Sequence, residues 1–333
     1  MIDTPTLFIL GAGASKPYGY PTGAELRNNI IKSFELHFNL LSDIKPPNMP
    51  RNSEIARRQI PKFIEHFNGS SIVSIDKYLA LNPTDSYIGK ISITLSILKS
   101  ERESCFREDI KNTNEDWYSL LFNRMTSSLN KPDDYKHFCE NKVAFITFNY
   151  DRSLEYFLYD SFYHSFFDKR HDIEKNVEGC VPFPIIHVYG SVAHISQADW
   201  FQHNCNYYGD FNYFVSVEKM SKGIRVIGEE RSDNKIKEQI KELLKNCKRI
   251  FFLGFGYAQE NLDAIDLIHN IHDKTRVYGT ARGMTDKEIS VISSRFPEIK
   301  GETYKLEDGE IIDTTFRPVI EDTSCYRLLR EYL

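Results

Sequence analysis

Four apolar runs, each stopping abruptly at a glycine or a short polar residue, constrain this chain more than any other feature. They are Thr6-Leu-Phe-Ile-Leu10 before Gly11-Ala-Gly-Ala-Ser15, Lys142-Val-Ala-Phe-Ile-Thr-Phe148 before Asn149-Tyr-Asp151, Pro184-Ile-Ile-His-Val-Tyr189 before Gly190-Ser191, and Arg249-Ile-Phe-Phe-Leu253 before Gly254-Phe-Gly256. A continuous apolar run, rather than strict alternation, is the pattern of a strand covered on both faces. Helical spacing fills the intervals. Thr22 with Glu25 makes a capping box ahead of Leu26, Ile30, Phe34 and Leu41, and Ile236, Ile240, Leu243, Leu244 and Cys247 recur on one helical face. An aromatic helix is expected over about residues 152 to 167, and another helix over about 258 to 272 leads to Arg276-Val-Tyr278; Thr285 with Glu288 makes a second capping box. Strands alternating with helices predict an α/β fold, a Rossmann-like doubly wound parallel sheet.

The stretch Lys45-Pro-Pro-Asn-Met-Pro50 interrupts this alternation and opens a polar, mainly helical region to about residue 140. The expected organisation is therefore a Rossmann-type domain of residues 1–44 and 141–333 with an inserted helical subdomain, 45–140. Residues 194–223, rich in His, Asn, Tyr and Gly, carry no clear period and read as loop. Tyr156, Phe157, Tyr159, Phe162, Tyr163, Phe166 and Phe167 could stack bases, but their helical spacing points instead to core packing or an oligomer interface.

Composition limits the partners. A formal net charge of -5 over 333 residues, with no basic block, argues against a dedicated nucleic-acid surface. No run approaches the roughly 18 apolar residues that span a bilayer, and no basic region precedes the first apolar run as in a secretory signal. Cysteines 105, 139, 180, 205, 247 and 325 form no C-x-x-C pair, which predicts scattered thiols in a cytoplasmic protein, without a zinc site or a disulfide framework.

Ligands of an open α/β sheet bind beyond the carboxyl ends of its strands, so the residues after each run are the candidates. The Gly11-Ala-Gly13 turn lets backbone approach a pyrophosphate, but it also suits any tight strand-to-helix turn. The dehydrogenase fingerprint is incomplete, because Lys16 stands where its third glycine would be, and no G-K-[ST] completes a P-loop. Asn149 and Asp151 are site candidates or a turn residue and a helix cap. His187 is a catalytic candidate or a core histidine held by one hydrogen bond.

Together these motifs resemble, in kind and order, the SIR2 (sirtuin) superfamily, and in particular the bacterial SIR2-like proteins of antiphage defence. Gly11-Ala-Gly-Ala-Ser15 with Tyr20-Pro21 resembles the family's G-A-G-x-S loop and downstream proline, and Thr147-Phe-Asn-Tyr-Asp151 its T-Q-N-I-D element. His187-Val-Tyr-Gly-Ser191 stands where the family has H-G-S, Gly254-Phe-Gly256 where a later loop meets the nucleotide, and Ser74-Ile-Asp-Lys-Tyr-Leu79 is similar to an S-I-D-x-F-L stretch of the defence branch. The resemblance spans most of residues 6 to 282 and implies hydrolysis of NAD to nicotinamide and ADP-ribose. It implies catalytic roles for Asn149 and His187 and nucleotide contacts by Gly11, Ala12, Gly13, Ser15, Pro21, Asp151, Tyr189, Gly190, Ser191, Gly254 and Gly256. It further implies a homo-oligomer or a HerA-type ATPase partner, with a non-catalytic NAD or ADP-ribose sensor as the alternative. Two departures stand out. The four-cysteine zinc module of the deacetylases has no counterpart, so no zinc is expected, and Tyr189 occupies the position directly before Gly190 where the family has its histidine. On a strand, His187 and Tyr189 would face the same side.

Overall fold

The computed structural model describes residues 1–32, 51–103, 110, 113–167, 183–192, 214–227, 229, 234–299, 303–305, 311–313 and 315–333. Strands β1 (Thr6–Leu10), β2 (Val143–Thr147), β3 (Ile185–His187), β4 (Arg249–Leu253), β5 (Arg276–Thr280) and β8 (Val319–Glu321) form one sheet in the order β3-β2-β1-β4-β5-β8. Every neighbouring pair is parallel. That order reverses direction between β1 and β4, the arrangement of the doubly wound dinucleotide-binding sheets. Strands β6 (Thr303–Lys305) and β7 (Ile311–Asp313) pair antiparallel in a separate ribbon.

Residues of β1, β2 and β4 alternate between two apolar clusters, as the two-residue period of a strand requires. Phe8, Leu10, Phe145, Phe251 and Leu253 belong to one, and Leu7, Ile9, Ile146, Ile250 and Phe252 to the other. Register then builds an aromatic row across the sheet. Phe8 lies opposite both Phe145 and Phe251, and Phe251 opposite Tyr278. Their rings stack at 5.0, 5.5 and 4.9 Å, and Tyr332 continues the row at 4.9 Å from Tyr278. Such cross-strand aromatic pairs add to the area they bury and pin the register.

The first cluster is covered by helices of the inserted region. These are α3 (Arg51–Gly69), α4 (Ile75–Leu81), α5 (Ser86–Glu103) and α6 (Trp117–Thr126), following α1 (Ala12–Ser15) and α2 (Gly23–Lys32). Phe63, Phe67, Tyr78, Ile91, Trp117 and Leu121 share one continuous cluster with Phe8 and Phe145, so the helical region and the sheet have a common core. Helix α7 (Ser153–Phe166) closes this face, with Phe162 packed on Phe138 at 4.8 Å. The aromatic helix is thus core at Leu158, Tyr159 and Phe162.

The second cluster is covered by α9 (Asn234–Asn246), α10 (Gln259–Ala264), α11 (Leu267–Asn270) and α12 (Asp286–Ser293). Three expectations change. The helix expected over about 258 to 272 is broken at Asp266, whose φ of 46° no helical residue adopts. Within 194–223, residues Phe214–Ser221 form helix α8, while 193–213 lie outside the described residues. Cys139 is disulfide-bonded, so the expectation of scattered free thiols fails there. Cys247 and Cys325 are free and buried. Strand β8 and the closing helix α13 (Cys325–Tyr332) add to what the sequence pattern suggested. Among the described residues, no helix is long and apolar enough to cross a membrane.

Candidate functional site

The carboxyl ends of β1, β2 and β4 open into a cavity of about 1180 Å³, above the roughly 300–1,000 Å³ of most small-molecule clefts. Its floor is two interlocked loops. Gly11 N–H donates to the Leu253 carbonyl and Gly13 N–H to the Gly254 carbonyl, both at 3.0 Å. A Cβ on Gly11 would lie 2.6 Å from the Gly254 oxygen, and one on Gly13 2.9 Å from the Gly254 Cα. Gly254 itself has φ of 55°, and a Cβ there would meet the Ala14 nitrogen at 2.0 Å. The glycines are thereby accounted for by the close approach of the β1 and β4 loops, with two of their amides committed to each other rather than to a ligand.

Over this floor sits Asn149, just past β2. Its Nδ2 donates to the Gly11 carbonyl and to Ser15 Oγ, each at 3.0 Å. A carbonyl oxygen only accepts, so the amino end of the amide must face Gly11, which fixes the side chain's orientation. The other end, Oδ1, is buried and has no hydrogen-bond partner among the described residues. Asp151 anchors the same network. It accepts from Ser15 Oγ at 3.2 Å, from the Ser153 amide at 3.1 Å and from the Ser153 hydroxyl, and burial holds its pKa above the ordinary value. Its contact with the Ser153 amide comes from one residue ahead of the N-cap of α7, Arg152, which has no side-chain cap. Behind them, Tyr118 and Ser153 share a hydrogen bond of 2.7 Å, and Trp117 Nε1 donates to the Ala14 carbonyl at 2.8 Å. Helix α6 of the inserted region therefore buttresses the glycine loop.

The expected residues divide cleanly. Gly11, Ala12, Gly13, Pro21, Asn149, Asp151, Tyr189, Gly254 and Gly256 line the cavity. Ser15 lies beneath it, bonded to Asn149 and Asp151. Gly190 and Ser191 are not in its wall. Gly190, at φ of 70°, packs where a Cβ would lie 1.9 Å from the Gly223 oxygen, and Ser191 is buried.

His187 is also set back from the cavity. Its Nε2 is 2.5 Å from Glu155 Oε1 and its Nδ1 3.0 Å from the Asn149 carbonyl. Burial alone would lower the ring's pKa, but the Glu155 carboxylate and the Asn149 carbonyl outweigh it and hold the pKa above its usual value. The Asn149 carbonyl only accepts, so Nδ1 donates to it, and Nε2 is engaged by the Glu155 carboxyl group. Strand β3 ends at His187, so the two-residue period does not extend to Tyr189, and the two side chains do not share a side. Tyr189 does reach the cavity, donates to Asn261 Oδ1 at 3.0 Å, and meets Phe148 edge-on at 5.7 Å.

The wall also holds residues that the strand-end rule does not collect. Asp76 and Lys77 come from the start of α4, Glu260 and Asn261 from α10, Arg282 from the turn after β5, and Ser324 from the cap of α13. Ser74-Ile-Asp-Lys-Tyr-Leu79 is the one sequence signal pointing to Asp76; Glu260, Asn261 and Ser324 sit at helix starts that carry no motif, and Arg282 lies in a turn that carries none. Two ion pairs cross the rim, Lys77 with Glu260 at 3.9 Å and Arg282 with Glu115 at 3.1 Å. Among the described residues, no three His, Cys, Asp or Glu side chains gather as metal ligands. No protein-family model matches the chain, and no curated protein matches it.

Proposed function

We propose that the cavity binds NAD and that the protein cleaves the bond between nicotinamide and ribose, releasing nicotinamide and ADP-ribose. One observation carries this reading. At the reversal point of a dinucleotide-type sheet, Asn149 is clamped through its amino end to the glycine loop while its Oδ1 is buried without a partner among the described residues. A buried acceptor left unpaired costs about 1–3 kcal/mol, which a ligand hydroxyl or a water donating to it would relieve.

The chemistry asks little of the protein. Electrons of the breaking C1′–N bond pass to the pyridinium nitrogen, nicotinamide leaves neutral, and the oxygen of water bonds to C1′ with loss of a proton. No pair of carboxylates is needed to protonate a leaving group. Asn149 Oδ1 would hold the ribose hydroxyl or the attacking water, and Asp151 with Ser15 would keep the amide in place. His187, with both ring nitrogens engaged, would act as a positioning residue by gripping the Asn149 main chain rather than as a general base. Unchecked turnover would exhaust the cell's NAD, so assembly with further copies or with a partner of defence type would gate it.

Nicotinamide release by purified wild type and Asn149→Ala tests the reading, with circular dichroism to confirm that both are folded. Release should fall on the order of 10²-fold or more in the variant; equal release would remove Asn149 from the chemistry. The engaged state of His187 and the presence of Tyr189 directly before Gly190, where the resembled family has its histidine, favour a second reading, a sensor that binds NAD without cleaving it. Tight binding with no release from wild type would select that reading.

A further inference from the structure

Helix α4 brings one carboxylate from the inserted region to the cavity wall. Ser74 caps the helix, its side chain accepting from the Lys77 amide, and this turns Asp76 inward. There Asp76 Oδ1 accepts from the hydroxyl of Tyr150, the residue directly after Asn149. One residue of backbone and one tyrosine side chain therefore separate the Asp76 corner from the Asn149 corner of the same cavity.

Three features of that corner belong together. Asp76 accepts from neutral hydrogen-bond donors, Tyr150 and its own backbone. The adjacent lysine, Lys77, also in the wall, lies 3.9 Å from Glu260 at the rim. Tyr189 and Glu260 face the same space: burial first, then the charges of Asp76 and Glu260, push the Tyr189 hydroxyl above its ordinary pKa. Two tyrosine rings and two carboxylates thus surround a space in the cavity wall. Burial also pushes Asp76 up to about 6, a state that a positive ligand would reverse.

We propose that this corner is a subsite for a cationic aromatic ring, and that Asp76 makes the cavity select the positively charged, oxidised nicotinamide of NAD over the neutral, reduced form. The proposal rests on the NAD reading above and deepens it. Aromatic faces attract organic cations through their quadrupoles, and a partly buried carboxylate adds a direct charge. Neither gains anything from dihydronicotinamide, which is uncharged. Asp76 is accordingly a specificity residue supplied by the inserted region, and the site would read the redox state of its ligand.

The test uses carba-NAD, whose ring resists cleavage, in its oxidised and reduced forms, together with ADP-ribose, titrated by calorimetry into the full-length protein. Wild type should bind the oxidised analogue about tenfold more tightly than the reduced one. Asp76→Asn, which keeps the shape and removes the charge, should bring that ratio close to one with ADP-ribose affinity unchanged. Asp76→Glu, which restores the charge, should recover part of it. An unchanged ratio in Asp76→Asn, or no preference in wild type, would overturn the proposal while leaving NAD binding intact. Failure of wild type to bind either the oxidised analogue or ADP-ribose would overturn the NAD reading and this inference with it.

Discussion

The two faces of the sheet are built on different principles. Under α9 to α12 the interior is hydrocarbon, with Ile240, Leu244, Phe252, Leu262 and Phe296 meeting in one cluster, and no buried charged side chain among the described residues belongs to those helices. Under the inserted helices, Glu101, Asp116, Asp151, Arg152, Glu155 and His187 are buried beside an equally apolar cluster. The difference shows where the fold spends stability and where it stores it. Charges removed from water are expensive even when paired, and they collect on the face that carries the candidate site. The helices of the other face cover the sheet without buried charge among the described residues, their buried Asn270 being held by Asp266.

The largest effect that separates the faces lies in the buried pair of Arg152 and Glu101. The Arg152 Nε donates at 2.9 Å and Nη2 at 3.1 Å to the two carboxylate oxygens, with side chains 2% and 0% exposed. This pair joins α5 of the inserted region to the start of α7. Arg152→Met strips a buried carboxylate of this ion pair and both its hydrogen bonds and should cost about 3–5 kcal/mol in chemical denaturation. Combining it with Glu101→Leu should return most of that loss, because the pair gains little over apolar contact. On the opposite face, Leu244→Ala should cost about 2–5 kcal/mol through its cavity, and a second distant truncation such as Ile292→Ala should add to that loss with no rescue. If Arg152→Met and the double variant are equally unstable, the two faces do not differ in the way described.

Asp76 sharpens the contrast by a smaller amount and with opposite sign. Its folded pKa of about 6 lies above the ordinary carboxylate value, so its ionisation weakens the fold. The stability it contributes is fully present below about pH 4 and is lost as pH rises through 6. Asp76→Asn should therefore be more stable than wild type by about 1–3 kcal/mol at pH 8, with the gain shrinking toward zero near pH 4. A thermal-unfolding series from pH 4 to 8 measures this. A constant difference across that range would mean that burial of the carboxylate is not what sets its pKa. A gain at pH 8 joined to a loss of ligand selectivity would identify the residue as one kept for function at the expense of stability.

How far the sequence revealed these two faces depends on what each pattern can carry. Strand β4 is legible to the residue, because Arg249-Ile-Phe-Phe-Leu253 is continuous and is closed by glycine. Strand β8 is three residues with one buried side chain, Ile320, too short for any period to register. Asn149 and the glycines follow from the rule that sites lie beyond strand ends, but the reason for Gly11 and Gly13 does not. They permit contact with the Gly254 loop, more than 240 residues along the chain, which no local pattern encodes. His187 was legible as a polar residue ending a strand. Its capture by Glu155 depends on where α7 docks, and that decides whether a histidine has a free nitrogen. Asp76 and Glu260 lie on helix starts from two different segments, and only tertiary packing makes them neighbours of Tyr189.

The smallest predicted effects compare two helix caps, one on each side of this division. Thr285 and Glu288 form a reciprocal box at the start of α12, with the Glu288 amide donating to Thr285 Oγ1 at 3.3 Å and the Thr285 amide to Glu288 Oε2 at 2.8 Å. Ser324 caps α13 by accepting from the Arg327 amide at 3.3 Å, and it also lines the cavity. Thr285→Ala and Ser324→Ala remove the same kind of bond, so each should cost about 0.5–2 kcal/mol in thermal unfolding. Their effects on ADP-ribose binding should differ, because α13 is part of the cavity wall and α12 packs against the hydrocarbon cluster. Thr285→Ala should leave calorimetric affinity unchanged, whereas Ser324→Ala should weaken it severalfold. Equal affinities in the two variants would place the ligand away from the α13 end of the cavity, confining the site to the glycine loop, Asn149 and the Asp76 corner.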